Sequence, residues 1–205
     1  QAEKTIQGLK SSNLVKDIYL LVTEDTEVPL QGCRILHVPA LNSTATMRII
    51  AAHSDADYTL FYTKYTTLKL GMFALERMTR IAEDSVAGMV YADHYQVSEG
   101  IQKNAPVIDY QFGSLRDDFN FGSVLLYKAS ALQEAVTRMK TDYQFAGLYD
   151  LRLKLSQKES LVHINEYLYS EIENDTRKSG EKIFDYVDPK NRGVQIEMEQ
   201  ACTEH

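Results

Sequence analysis

Residues 57–95 limit most sharply what this chain can fold into. Residues 57–63 (DYTLFYT) are aromatic and β-branched, the composition of a buried strand. Residues 67–84 then place Leu70, Phe73, Ala74, Met78 and Ile81 near a 3.6-residue period, with Glu76, Arg77, Arg80 and Glu83 between them. That spacing predicts one amphipathic helix. Residues 88–95 (GMVYADHY) turn apolar again and reach Asp93 and His94. Ligands of open, helix-covered sheets sit beyond the carboxyl ends of strands. Thr63–Lys64 and Asp93–His94 are therefore the first places to look for chemistry.

The same alternation runs through the rest of the chain. Residues 2–10 read as a helix, 17–23 and 33–38 as strands, and 42–54 as a helix that opens on cap-competent residues. Beyond Gly100, residues 107–111 and 122–128 read as strands, 129–140 and 146–156 as helices, and 161–164 and 166–170 as short strands. Residues 173–182 read as a polar loop and 194–205 as an amphipathic helix. Helix and strand in turn predict an α/β fold with a mostly parallel sheet between helical layers. No repeat or Gly/Pro-rich linker divides the 205 residues, so one domain is expected.

A net charge of −7 argues against nucleic acid or an anionic membrane as a partner. No apolar run approaches the length of a bilayer span, and no signal-peptide pattern opens the sequence. Cys33 and Cys202, far apart, offer neither a disulfide framework nor a zinc site, and two inert thiols suit a reducing, cytoplasmic setting. His37, His53 and His163 have no ligand spacing and read as packed or surface residues.

Three stretches resemble an inverting glycosyltransferase of the GT-A fold, closest to glycosyltransferase family 2. The strand LLVTED (20–25) is similar to the family's strand that ends in nucleoside-holding acids. NSTATMRIIAAHSDADYTLFY (42–62) resembles its Asn, Ala-Arg-Asn helix and Gly-Asp-Tyr strand. FAGLYDLRLKLS (145–156) resembles its Glu-Asp-Tyr-Asp-Leu helix. The resemblance covers most of residues 1–170 and implies a three-layer α/β/α sandwich whose opening strand lies before Gln1. Residues 1–100 would be the nucleotide-binding half, 101–172 the acceptor and catalytic half, and 173–205 a C-terminal extension.

What the resemblance implies is hexosyl transfer from a nucleotide-sugar donor to a glycan-type acceptor. Glu24, Asp25, Asn42, Arg48, Thr63, Lys64, Asp93 and His94 would contact the donor. Two motifs depart from the family. Thr63–Lys64–Tyr65 stands where the Asp-X-Asp motif would hold Mn or Mg against the diphosphate, and neither Thr nor Tyr supplies the carboxylate that a hard cation wants. Lys64 would neutralise the diphosphate itself or remain a solvated loop residue, and Asp93 is the remaining candidate metal ligand. Gly147–Leu148 replaces the Glu-Asp pair that supplies the base, while Asp150 points away from that position on the helix.

The dense GSLRDDFNFG (113–122) offers replacements: Asp117 or Asp118 as base, with Arg116 holding phosphate or fixing the carboxylate. Phe119 and Phe121, interleaved with the charges, would bury part of the loop and give sugar rings a face to stack on. The bland reading is a turn carrying a surface Arg–Asp pair. The readings to separate are therefore a glycosyltransferase, cytoplasmic or peripheral to the inner face of a membrane, and a catalytically inactive GT-A-like binding module of a longer protein. A sugar-phosphate nucleotidyltransferase is a third, weaker one.

Overall fold

The computed structural model describes residues 1–23, 30–114, 116–173 and 192–205. Its helices are α1 (Ala2–Lys10), α2 (Thr44–Ala52), α3 (Ala74–Asp84), α4 (Ala129–Thr137), α5 (Gly147–Ser156) and α6 (Arg192–Thr203). Its strands are β1 (Tyr19–Val22), β2 (Arg34–His37), β3 (Tyr58–Tyr62), β4 (Thr67–Leu70), β5 (Met89–Ser98), β6 (Ile101–Ala105), β7 (Val124–Lys128) and β8 (Leu161–Glu173). The fold is α/β with a mixed six-stranded sheet in the order β3-β7-β5-β8-β4, β6 adding to β5. β1 and β2 form a separate parallel pair, tied to the end of α2 by Lys16–Asp55 and by Tyr19 edge-on to His53.

The central strands are buried on both faces, and their alternation sorts the core. Met89, Tyr91, Leu125 and Tyr127 pack with residues of α2, α4 and α5. Val90, Ala92, Val124 and Leu126 pack on the other face with Ala74, Met78 and Ala82 of α3. A period of two thus fills two helical layers from one sheet. No helix among the described residues is long and apolar enough to cross a membrane.

Four expectations need correction. The large sheet is not mostly parallel: β5–β8 is its single parallel ladder among the described strands, while β3–β7, β5–β7, β5–β6 and β4–β8 are antiparallel. Antiparallel neighbours need no helical crossover, so a tight turn or a loop can join or approach them. The expected helix over 67–84 is two elements. Residues Thr67–Leu70 form β4, Gly71 and left-handed Phe73 (φ 57°) turn the chain, and the helix begins at Ala74. Gly71 sits so close to β8 that a Cβ there would lie 2.9 Å from the Leu168 carbonyl oxygen. The expected strand over 107–111 is irregular chain; β6 precedes it, joined to β5 by a turn with Glu99 and Gly100 at φ 52° and 77°. Two consecutive positive φ values are the signature of a type I′ hairpin.

The short strands expected over 161–164 and 166–170 are one strand, β8, whose register against β5 shifts between Ala92 and His94. The C-terminal helix joins the core, with Ala201 fully buried. Glu197 on α6 accepts hydrogen bonds from the backbone N–H groups of Gln144, Phe145 and Ala146, at 3.2, 2.6 and 3.1 Å. It thereby satisfies the N–H of the α5 cap residue, Ala146, and two donors of the segment leading into the helix. Gly147 allows that start to press on α2, since a Cβ would lie 2.3 Å from the Ser43–Thr44 backbone.

Candidate functional site

The alternation of β5 sends its neighbours Asp93 and His94 to opposite faces of the sheet, into two separate polar clusters. His94 stacks on Tyr169, with ring centroids 4.9 Å apart and planes within 4°. Its Nε2 lies 3.4 Å from Glu171, and Glu171 lies 4.0 Å from the Lys64 ammonium. The Tyr169 hydroxyl oxygen accepts from the Ser123 and Val124 N–H groups at 2.9 and 3.3 Å. Thr63 joins through its own N–H, which donates to the Ser123 carbonyl at 3.0 Å. Gly122, at φ 75°, has to lack a side chain, because a Cβ would lie 2.5 Å from the Tyr169 hydroxyl.

This cluster gathers Thr63, Lys64 and His94 at the carboxyl ends of β3 and β8, and adds Glu171, Tyr169 and Ser123. Burial holds the His94 imidazole below its ordinary pKa, against the nearby Glu171 carboxylate. Its Nδ1 and the Ser123 hydroxyl are buried without a hydrogen-bond partner among the described residues. Tyr62, bonded to Thr66, borders the cluster; burial pushes its phenol up to about 12.

On the opposite face, buried Asp93 accepts from the Val107 N–H at 2.8 Å and lies 2.9 Å from His163 Nε2. His163 Nδ1 is 2.6 Å from Asp109, whose side chain is 82% exposed. Asp109 lines an open cleft of about 630 Å³ together with Val107, Arg116, Asp118 and Phe119. Arg116 and Asp118 face each other there as a two-point pair at 3.2 and 3.3 Å, both well exposed. Asp117 is exposed and is not part of the lining. Phe119 packs on Phe121 at 4.4 Å, and Phe121 is buried, so the aromatic residues anchor the charged loop as its sequence suggested.

The other candidates lie elsewhere. Arg48 pairs with Asp142 and donates to the Met139 carbonyl, the salt-bridge alternative to a phosphate contact. Exposed Asn42 accepts from Leu148 at the junction of α2 and α5. Asp150 is buried beside Lys154 at 3.3 Å, and burial raises its carboxyl. Glu24 and Asp25 lie outside the described residues.

A divalent cation does not fit the described donor set. No group of three or more His, Cys, Asp and Glu side chains among the described residues is placed to share one. Asp93, the candidate ligand, is 2% exposed and already holds Val107 and His163. Sequence reasoning missed His163, Asp109 and Glu171; each reaches its partner from a distant segment, so no local spacing marks it. Comparison of the chain with known protein families and with curated proteins gives no match.

Proposed function

We propose that the chain is a glycosyltransferase of GT-A type that moves a hexosyl group from a nucleotide-sugar donor to a hydroxyl of a glycan-type acceptor. The observation that carries this reading is the meeting of Lys64 and His94 at Glu171, with Thr63 held at the Ser123 carbonyl, on the carboxyl side of β3 and β8. Lys64 stands where a diphosphate needs positive charge, its ammonium half-exposed and leaning toward a buried carboxylate. Such a cation stabilises a departing diphosphate electrostatically without a metal. In the cleft on the opposite face, Phe119 offers a partly open ring. Glu24 and Asp25 are the nucleoside contacts that the family resemblance implies. A cytoplasmic site, or one at the inner face of a membrane, belongs to the same proposal.

Calorimetric titration of the full chain with uridine and guanosine diphosphates, with and without manganese, tests this reading. Binding that ignores manganese and weakens about tenfold or more in Lys64→Ala is the expected result. No binding of either nucleotide overturns it. A second reading, a GT-A-like module that binds without turnover, is favoured by Asp150: the acid retained on α5 is buried against Lys154 and faces no acceptor. Nucleotide-sugar binding without release of nucleoside diphosphate would select that reading.

A further inference from the structure

We propose that Glu171 and His94 set how strongly Lys64 holds a diphosphate: a proton taken up by His94 covers the Glu171 carboxylate and turns the Lys64 ammonium over to the ligand. The inference rests on the glycosyl-transfer reading and deepens it by making donor affinity depend on pH. One buried carboxylate is divided between two bases. Its Oε1 lies 3.4 Å from His94 Nε2, and its Oε2 lies 4.0 Å from Lys64 Nζ. The carboxylate and the imidazole are shut away from water, with side-chain exposures of 5% and 4%, whereas the Lys64 side chain is 52% exposed. Lys64 is thus the arm of the cluster that a ligand can reach.

Charge counting gives the direction. With a neutral imidazole, Glu171 and Lys64 sum to zero, and the ammonium leans on the carboxylate. With an imidazolium the three groups sum to a single positive charge, and Glu171 has a cation 3.4 Å away on its other oxygen. A nearby anion favours the charged form of an imidazole. The diphosphate of a nucleotide sugar therefore raises His94 toward its charged form, and binding draws in a proton. By linkage, affinity then rises as pH falls. Burial supplies the starting state, because it holds the imidazole below its ordinary value of 6.5 and so uncharged at neutral pH.

The surroundings hold the ring where it can do this. Its stacking partner Tyr169 is itself fixed, since the hydroxyl accepts from the Ser123 and Val124 N–H groups. Glu171 and Tyr169 face the ring from β8 and Lys64 from the β3–β4 connection; Asp93 acts on it from its own strand, and Tyr62 of β3 stands at the border. β6 brings only Ala105 opposite His94. Burial pushes both phenols up, so neither loses its proton near neutral pH. His94 Nδ1 has no partner among the described residues, and a Cβ on Gly122 would lie 3.5 Å from it and 3.5 Å from the Ala92 carbonyl oxygen. The second N–H of an imidazolium thus opens onto a spot that an acceptor borders.

The test titrates the full chain by calorimetry with UDP-glucose and GDP-mannose at about pH 7.5 and 5.5, either side of the ordinary imidazole value. Buffers of different ionisation heat make proton uptake directly readable. Nucleotide sugars serve as probes because the terminal phosphate of a free nucleoside diphosphate itself titrates at about pH 6. Wild type should bind about tenfold tighter at the lower pH and take up a proton on binding. His94→Gln should lose that response, its two Kd values agreeing within about twofold. Glu171→Gln frees Lys64 at every pH and should bind about fivefold or more tighter than wild type at the higher pH. Loss of a merely structural carboxylate would not give that gain, and circular dichroism checks that both variants fold. Wild-type binding without proton uptake, a pH response that survives in His94→Gln, or weaker binding by folded Glu171→Gln overturns the inference and leaves donor binding standing. A wild-type chain that binds neither nucleotide sugar at either pH overturns the transfer reading and the inference with it, so the two failures are distinguishable.

Discussion

Asp93 and His94 are consecutive residues of β5, yet the polar groups around them are finished differently. On the Asp93 face, the described hydrogen bonds run from a buried carboxylate through an imidazole to an exposed carboxylate on an open cleft. On the His94 face the cluster is closed over by Tyr169 and Gly122, and an imidazole nitrogen and a hydroxyl are left without partners among the described residues. Buried polar groups that are fully paired rigidify a site, whereas unpaired ones are a standing cost that a bound group or water can relieve. The first face has the build of a preorganised site, the second that of a site still missing a partner.

That contrast can be broken most forcefully at Asp93. Asp93→Ala strips partners from both the Val107 N–H and His163, and should destabilise the fold by about 3–5 kcal/mol, as breaking a buried ion pair does; urea midpoints would show it. An effect below about 1 kcal/mol would mean that the chain of contacts holds nothing together. Tyr169→Phe on the other face orphans the Ser123 and Val124 N–H groups and should cost about 1–3 kcal/mol by the same assay.

His94→Gln sharpens the comparison through pH. Burial lowers the His94 pKa from 6.5 in the folded chain, so the unfolded chain takes up a proton first as pH falls. Stability from this group is complete above pH 6.5 and is lost below it, toward the lowered folded value. Glu171, Lys64 and Asp93 are the charged groups that act on the ring. Gln keeps an N–H donor for Glu171 but cannot titrate, so the variant's stability should be flatter as pH falls below 6.5, followed by thermal melts at each pH. An unchanged slope would place the titration elsewhere. The smallest effect on stability belongs to Lys64→Ala: its side chain is 52% exposed, and the unfolding free energy should change by less than about 0.5 kcal/mol. Any larger shift would make Lys64 part of the frame instead of a ligand contact.

Much of the frame was legible because central strands buried on both faces leave near-continuous apolar runs. The runs around Met89–Tyr91 and Val124–Tyr127 carried that signal, and Ser43 marked the start of α2 by accepting from the Thr46 N–H. β6 was invisible for the opposite reason: Ile101–Ala105 is polar and mostly exposed, held by its ladder to β5 alone, and only the Glu99–Gly100 turn announced it. β4 was absorbed into a helical period although Gly71 interrupted it. The sheet's polarity is set by which segments meet in space, and hydropathy does not record that. The site was half legible. Thr63, Lys64, Asp93 and His94 follow from strand-end reasoning, and strand alternation puts the last two on opposite faces, but their partners His163 and Glu171 come from β8, about 70 residues downstream.

The contact between Gly147 and the Ser43–Thr44 backbone has a consequence beyond close packing. It sets the amino ends of two helices against each other, and each such end carries about half a unit of positive charge. Like poles in contact repel, and the carboxylate of Glu197 is laid across the α5 end as a counter-pole. The last helix therefore balances charge as well as covering apolar surface. The electrical balance of the α2–α5 junction is completed by a residue more than 50 positions downstream of Phe145.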